Sequence, residues 1–241
     1  LIASSPKAAD SFAALKRATM LSPSARCHTL SAAADGYVRS EGGVLFLLQA
    51  DTCRDPAVPP RAMIVGSAVN QNTQRKPMTA VDPVAQERVV RAACRDAGIS
   101  PGDLSAVEMH GTGTKLGDPV ELSALASVTS GAQPTQCTLT AAKMHFGHLE
   151  SAAGAVGLLK VCLMLGHRTV PPFTIDAPGL NPALEPILRD SRLALPLDGT
   201  GTPLPPAAFV GVSSFGFAGS NAHGARHGPR CMCPAALPPT Y

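Results

Sequence analysis

Short unbroken apolar runs alternate along the chain with longer stretches at helical spacing. Val44-Leu45-Phe46-Leu47-Leu48 is one such run, following Gly42-Gly43 in the manner of a strand covered on both faces. Pro56, Pro59 and Pro60 break the chain, Ala62-Met63-Ile64-Val65-Gly66 is a second strand candidate, and residues 70–81 read as polar and irregular. Asp82-Pro83 supplies an N-cap with proline at the first helical position. A helix is therefore predicted to about Ala97, with Val89, Val90, Ala93 and Cys94 on its apolar side and Gly98 as its stop. Pro101-Gly102-Asp103-Leu104 predicts a turn, and Ala106-Val107-Glu108-Met109-His110 the next strand.

A helix of small residues from Pro119 to about Val128 comes next, then a Thr-rich strand from Thr135 to Ala142 and a loop from Lys143 to His148. A long helix from about Glu150 to Leu165 carries Ala152, Ala153, Gly154, Ala155 and Gly157. Such residues cost helix propensity, and the return is close approach to a neighbouring layer. Residues 171–206 are Pro-rich and predicted mostly as loop, and Phe209 to Ser213 reads as a final strand. From Gly224 onward no period is visible, and neither strand nor helix is predicted there. The alternation of strands and helices argues for an α/β layered fold.

At 241 residues, 45% hydrophobic and 15% charged, the chain has ample material for one large or two small domains. Twenty basic against seventeen acidic residues leave +3, too little for an electrostatic footprint on nucleic acid. Aromatics at 4%, with no Trp, offer no base-stacking surface either. The most apolar stretch, Val156 to Leu165, contains Lys160 and falls well short of the ~20 residues a spanning helix needs, so no membrane insertion is expected. The chain opens Leu1-Ile2-Ala3-Ser4 without the features of a signal peptide, as a piece of something longer would. Seven cysteines, an odd number and mostly far apart, read as reduced thiols in a cytoplasmic protein.

Two histidines stand where strands give way to glycine-rich loops, in His110-Gly-Thr-Gly-Thr and in Lys143-Met144-His145-Phe146-Gly147-His148. Strand ends are where layered sheets build sites. His148 also precedes the helix starting near Glu150, whose positive N-terminal end disfavours an imidazolium. Two neutral N–H donors converging on one point would suit a developing enolate oxygen. A structural hydrogen bond is the competing reading for either histidine alone. The tail pattern His223-x3-His227-x3-Cys231-x-Cys233 offers four ligand types, but the Cys-x-Cys pair is tight and Pro229 and Pro234 stiffen it, so no metal site is expected. Gly111-Thr112-Gly113-Thr114-Lys115 lacks the ending of a phosphate-binding loop.

Taken together, three segments resemble the C-terminal signatures of β-ketoacyl synthases, above all the ketosynthase domains of modular polyketide synthases. They are His110 to Glu121, Lys143 through Gly147-His148-Leu149-Glu150, and Ser213-Ser214-Phe215-Gly216-Phe217-Ala218-Gly219-Ser220-Asn221-Ala222-His223. Ala34 to Gly42 and Pro83 to Val89 resemble further family segments, in order over residues 1–223. The resemblance implies a thiolase-like layered αβαβα fold of two related halves, here the C-terminal half plus the end of the N-terminal half. The divisions expected are 1–57, 58–223 and an irregular tail over 224–241.

It also implies decarboxylative Claisen condensation of a malonyl-type thioester, borne by an acyl carrier protein, with an enzyme-bound acyl chain, in a homodimer without cofactor. The family's catalytic residues fall on His110, His148 and Lys143, with Glu150 as the lysine's charge partner. Thr112, Thr114, Asp118 and Glu121 take supporting positions, the two acids reading equally as loop and helix-cap scaffolding. Phe217, beside Gly216, falls on the residue whose N–H helps form the oxyanion hole and whose ring gates the site.

The chain also departs from that family. No Ala-Cys-Ser-Ser elbow occurs in it, and Cys27, in the family's surface turn, is paired in sequence with His28 without the setting of a reactive thiolate. Met144-His145-Phe146 puts the loop beside His148 in question, Ala218 stands where glycine is preferred and would strain a positive φ, and no Val-rich closing strand follows His223. The alternative these departures leave is a catalytically silent remnant that serves for dimerisation or carrier-protein binding.

Overall fold

The computed structural model of the chain describes residues 2–5, 9–53, 55, 57–72, 80–130 and 136–228, with side chains from residue 12 onward. Strand β1 (Ile2–Ser5) pairs antiparallel with β2 (Gly42–Leu45) around helix α1 (Ala9–Arg17). Then follow β3 (Met63–Gln71), α2 (Pro83–Asp96), β4 (Leu104–Glu108), α3 (Gly117–Thr129) and β5 (Cys137–Thr140). A helical turn α4 (Lys143–Phe146) leads into α5 (Ala153–His167) and β6 (Thr169–Val170). Helix α6 (Glu185–Arg189) and strands β7 (Leu193–Ala194), β8 (Thr202–Pro203), β9 (Phe209–Phe215) and β10 (Ser220–His227) complete the order.

Helix α2 forms as its sequence dictates. Asp82, in extended backbone, accepts hydrogen bonds from the N–H groups of Val84 and Ala85 at 3.1 and 3.2 Å, and Val89, Val90, Ala93 and Cys94 are buried. The principal sheet has six strands in the order β3-β10-β9-β4-β5-β7, with β9, β4, β5 and β7 parallel and β10 antiparallel to both its neighbours. Val107 of β4 packs into a core with α2 and α3, while the adjacent Ala106 packs with α5 and β9. Helices thus cover both faces of the sheet. Helix α5 lies close: a Cβ at Gly157 would stand 3.2 Å from Glu108 Cγ, so the small-residue composition of this helix serves contact with β4.

Register decides where the site falls. Glu108 lies beside Thr140 on one side and Val212 on the other, so the chain leaves β4, β5 and β9 along one sheet edge. The loop holding His110, the turn holding Lys143 and the β9–β10 turn holding Phe217 are thereby neighbours.

Several sequence expectations need correction. Only the first part of the Val44 to Leu48 run is strand, and Leu45 and Leu47 are 70% and 93% exposed, because β2 pairs with β1 alone and its contacts with Leu149, at Gly42, and with α5 leave Leu45 and Leu47 uncovered. Strand β3 continues to Gln71, into a stretch read as irregular, because Ser220 to His227 of β10 pairs along it. That pairing also corrects the expectation of a missing closing strand: β10 crosses the expected boundary at 224 and lies inside the sheet, leaving β3 as the edge. Residues Lys143 to Phe146 form a helical turn and not a loop. The predicted strand over 106–110 ends at Glu108, and the long helix begins at Glu150 as a 3-10 turn. Ala218 is free of the expected strain, the positive φ of that turn being taken by Gly219 at +87°. Cys27 is buried, not in a surface turn, and its thiol is pushed up to about 11 by that burial, which removes the Cys27–His28 pair as a nucleophile. Thr135, Pro229, Cys231, Pro234 and Cys233 lie outside the described residues, and no group of three potential metal ligands occurs among the described ones.

Strand β10 also carries a cost. Arg226 is buried in the sheet interior, its Nε has no hydrogen-bond partner, and no carboxylate pairs with it among the described residues. Its Nη1 donates to Ala225 O at 3.3 Å, but a buried guanidinium without a counter-charge destabilises, whereas an apolar residue of similar length does not. Arg226→Leu should therefore raise the unfolding free energy by about 1–2 kcal/mol, read as a higher denaturant midpoint at unchanged slope. A lower midpoint would show that Arg226 is satisfied.

Candidate active site

The loop after β4 is held by two buried acids on α3. Glu121 accepts from the N–H groups of His110 and Gly111 at 2.7 and 2.9 Å. Asp118 accepts from Gly113 N–H at 3.1 Å and from Leu30 N–H at 2.8 Å, tying the loop to the buried segment around Cys27. Both acids therefore act as scaffolding for the loop. Burial pushes Glu121 up to about 7 and Asp118 up to about 6 against the lowering effect of these hydrogen bonds. Each carboxyl thus binds its proton more tightly folded than unfolded, so its contribution to stability is greatest at low pH and falls as pH rises. Relative to the unaltered chain, Glu121→Gln should remove a loss of stability that runs between about pH 4.5 and about 7. Parallel stability–pH curves for the two proteins would contradict this.

His148 is fixed by the 37–40 segment. Its N–H donates to Val38 O at 2.8 Å and its carbonyl accepts from Ser40 N–H at 3.0 Å. Gly147 before it has φ +71°, and a Cβ there would meet Ser40 Cβ at 3.1 Å, so glycine is required for this approach.

The structure brings the two imidazoles together, with ring centroids 5.6 Å apart and planes at 83°. His110 Nδ1 accepts from the Phe215 N–H at 3.2 Å, and His148 Nδ1 accepts from the Glu150 N–H at 2.8 Å. A ring nitrogen that accepts carries no proton, so in each neutral ring the proton resides on Nε2. Burial first, then the positive charge of Lys143 and that which His148 would carry if protonated, hold His110 well below the usual imidazole range, and it is neutral at pH 7. Two Nε2–H donors result.

Lys143, at the start of α4, is buried, and burial lowers its ammonium against the pull of Glu108 and Glu121. The expected pairing with Glu150 is not the one formed. Glu150 is gripped by Arg39, whose Nε and Nη2 donate to its two carboxylate oxygens at 2.6 and 2.9 Å. Glu108 in turn forms an ion pair with Lys160 of α5 at 3.0 Å and accepts the Ala142 N–H at 2.5 Å, supporting the turn that carries Lys143.

His110, His148, Thr112, Thr114, Glu121, Glu150, Gly216 and Phe217 line one cavity of about 1230 Å³. The Thr112 and Thr114 hydroxyls are 3.2 Å apart. Phe217 is half-exposed at the cavity, its ring 6.0 Å from that of Tyr37. Gly216 N–H is committed to Ser220 O at 2.7 Å and so does not serve as an anion donor. Sequence reasoning missed Tyr37 and Arg39. The Tyr37 ring packs 5.0 Å from the His148 ring, and Arg39 holds Glu150; both stand in the Ala34 to Gly42 segment, whose family resemblance implied no role for either.

The same geometry is accompanied by likeness to known proteins. The family model described as "Beta-ketoacyl synthase, C-terminal domain" matches residues 61–175, and "Beta-ketoacyl synthase, N-terminal domain" matches residues 3–52. The chain is 41% identical over 224 residues to polyketide synthase ThaG of Burkholderia thailandensis, covering 86% of this chain and 4% of that protein. It is 40% identical over 209 residues to a phenolphthiocerol/phthiocerol polyketide synthase of Mycobacterium tuberculosis, covering 85% of this chain and 13% of that one. Among solved structures, the oxazolomycin ketosynthase domain OzmH KS7 of Streptomyces albus JA3453 superposes with a TM-score of 0.83 at 32% identity, covering 94% of this chain and 41% of that one. The ketosynthase from module 6 of the bacillaene synthase of Bacillus subtilis 168 gives 0.80 at 32% identity, with the same coverage of 94% and 41%. The chain thus spans a small part of these curated relatives and about two fifths of the solved ketosynthase domains.

Proposed function

The chain belongs to the β-ketoacyl synthase family, and from that premise we propose that it carries the decarboxylation machinery of a polyketide-type ketosynthase. The observation that carries the reading is the pair of imidazoles, each with Nδ1 accepting from a backbone N–H, its proton therefore on Nε2, and the two rings side by side. A malonyl-type thioester delivered by an acyl carrier protein would place its carbonyl oxygen between His110 and His148. As the carboxylate leaves as carbon dioxide, the electron pair of the broken C–C bond moves into the thioester as an enolate, and the two Nε2–H donors stabilise the negative oxygen. Lys143 would lend positive charge near His110 to the extent that its buried ammonium holds its proton, and Phe217 would gate the cavity. The enolate carbon would then attack the carbonyl carbon of an acyl chain held as a thioester on a cysteine, the C–S bond breaking and the sulfur leaving as thiolate, in the acyltransferase step of polyketide or fatty acid synthesis. No cysteine of this chain stands in an Ala-Cys-Ser-Ser elbow, and the condensation half of the reaction is therefore assigned to residues outside these 241. Homodimerisation and a reducing cytoplasmic setting belong to the same reading, the described cysteines all being unpaired. No described helix is long and apolar enough to cross a membrane.

The test is direct. Radiolabelled malonyl-pantetheine incubated with the chain should release carbon dioxide and leave acetyl-pantetheine. Binding without release would favour the second reading, a silent remnant acting as a docking module. The exposed apolar residues Leu45, Leu47, Leu48, Leu159 and Leu163 are what favour that alternative.

A further inference from the structure

A second group of chemistry-bearing side chains surrounds His28, beside Cys27. His28 is buried, and both its ring nitrogens have partners: Nδ1 stands 2.8 Å from Asp176 Oδ2, and Nε2 stands 2.8 Å from Ser24 Oγ. Asp176 is set by its surroundings. Its other carboxylate oxygen is 3.4 Å from Arg26 Nη2, and its backbone carbonyl accepts from Gly179 N–H at 2.9 Å and from the Ser31 hydroxyl at 3.3 Å. An ionised carboxylate can only accept, so the proton of a neutral His28 ring resides on Nδ1, and Nε2 faces the Ser24 hydroxyl as a base. Ser24 itself is exposed. Ala25, next to it, holds φ +57°, a left-handed conformation that a residue with a Cβ keeps only where its surroundings impose it. An exposed hydroxyl, a buried imidazole and an oriented carboxylate, linked in that order, are the contacts of an activated serine. Ser24 Oγ also lies 2.8 Å from Asp35 Oδ2 and 2.8 Å from Ser22 Oγ. Asp35 therefore competes for the Ser24 proton, but the Ser22 hydroxyl also hydrogen-bonds Asp35 and can serve it while Ser24 turns its proton to His28. None of Ser24, His28 and Asp176 lines the cavity of His110 and His148, although Asp35 does.

We propose that Ser24 is the nucleophile of a second, acyl-accepting site that cleaves small carboxylic esters and thioesters, with His28 as its general base and Asp176 as the group that orients His28. In the first half, Ser24 Oγ attacks the carbonyl carbon and its proton passes to His28 Nε2. The C–O or C–S bond to the leaving group breaks, and the departing alkoxide or thiolate takes that proton. In the second half, water attacks the acyl-serine carbonyl carbon, its proton passes through His28 to Oγ as the C–Oγ bond breaks, and a carboxylic acid leaves. Ester or thioester plus water gives acid plus alcohol or thiol. Arg26, 57% exposed apart from its contact with Asp176, would meet the negative charge of the tetrahedral intermediate. Neither imidazole of the cavity takes part, so this site stands apart from the decarboxylation reading.

The experiment treats the full chain with p-nitrophenyl acetate, following nitrophenolate release and locating the acetyl group by peptide mass spectrometry. A parallel sample receives a fluorophosphonate, which loses fluoride as a stable P–O bond forms on an activated serine. Both groups are expected on Ser24. Ser24→Ala, an exposed and conservative change, should remove both labels and lower ester cleavage by about tenfold or more. Asp176→Asn should lower it comparably, because an amide can donate to Nδ1 and leave the ring proton on Nε2, the wrong side for a base. Asp35→Asn, which weakens the competing acceptor, should raise it severalfold. An unlabelled Ser24 in the unaltered chain overturns the proposal. So does ester cleavage that survives Ser24→Ala, which would make an imidazole the nucleophile. A fall in Asp35→Asn as large as that in Ser24→Ala would make Asp35 the base and overturn the assignment to His28. Should Asp176→Asn not fold, labelling of Ser24 in the unaltered chain still decides the matter.

Discussion

Replacing His110 or His148 by alanine should slow carbon dioxide release from malonyl-pantetheine by on the order of 100-fold or more. Each imidazole supplies one preoriented N–H to an oxygen that is neutral in the substrate and negative in the enolate, so its interaction strengthens as the C–C bond breaks. Loss of such a donor should lower kcat and kcat/KM together, with little effect on ground-state binding. Removing both rings should cost less than the product of the single effects, because the two donors act on one oxygen. His110→Gln offers a milder control, since its amide can still donate but from a different reach. Each substitution takes the imidazole acceptor from one backbone N–H, that of Phe215 or of Glu150, but the His110 and His148 N–H groups retain Glu121 and Val38 as acceptors, so folding should survive. An unchanged rate in either alanine variant, with the fold intact by circular dichroism, would sink the two-imidazole mechanism.

How much of this was legible beforehand depends on the range of the forces involved. The cap and apolar face of α2 are local: Asp82, Pro83 and the 3.6-residue spacing of Val89, Val90, Ala93 and Cys94 specify them within one helix, and the structure agrees. The placement of His110, Lys143 and His148 at strand ends was readable for the same reason, and parallel pairing of β4 with β5 and β9 then brings those ends together. Strand β10 was not readable. Its pattern of Asn221, His223, Arg226 and His227 is polar where period-2 reasoning looks for valine or isoleucine, yet all four are buried between two flanking strands. Tertiary pairing overrides composition there, and the unpartnered Arg226 Nε is what remains of that conflict. Ion-pair choice was equally hidden. Glu150 and Arg39 are 111 positions apart, and no spacing rule ranks Arg39 above the nearer Lys143.

That choice of partner carries the second large effect. Arg39 has 3% of its side chain exposed, and its Nε and Nη2 both end on Glu150, while Glu150 itself is 28% exposed. Neutralising the acid strands a guanidinium that has no route to water, which for fully buried pairs costs about 3–5 kcal/mol. Partial exposure of Glu150 lowers the expectation to about 2–3 kcal/mol for Glu150→Gln, read from chemical denaturation. Glutamine is the suitable replacement because position 150 has φ +49°, a left-handed conformation that aims its N–H at His148 Nδ1. A change of backbone preference would mix loss of the ion pair with disturbance of the histidine. A double-mutant cycle between Glu150→Gln and Arg39→Met should yield a coupling of about 1–3 kcal/mol, and the corresponding cycle with Lys143→Met a value near zero. Coupling concentrated on Lys143 would restore the pairing first expected from the sequence and assign Glu150 to the charge behind the imidazoles. With coupling on Arg39, the role of Glu150 becomes mechanical: a clamp on the 37–40 segment and on the turn whose N–H selects the His148 tautomer. Glu150→Gln should then lower stability far more than it lowers the rate of decarboxylation at temperatures where the protein remains folded.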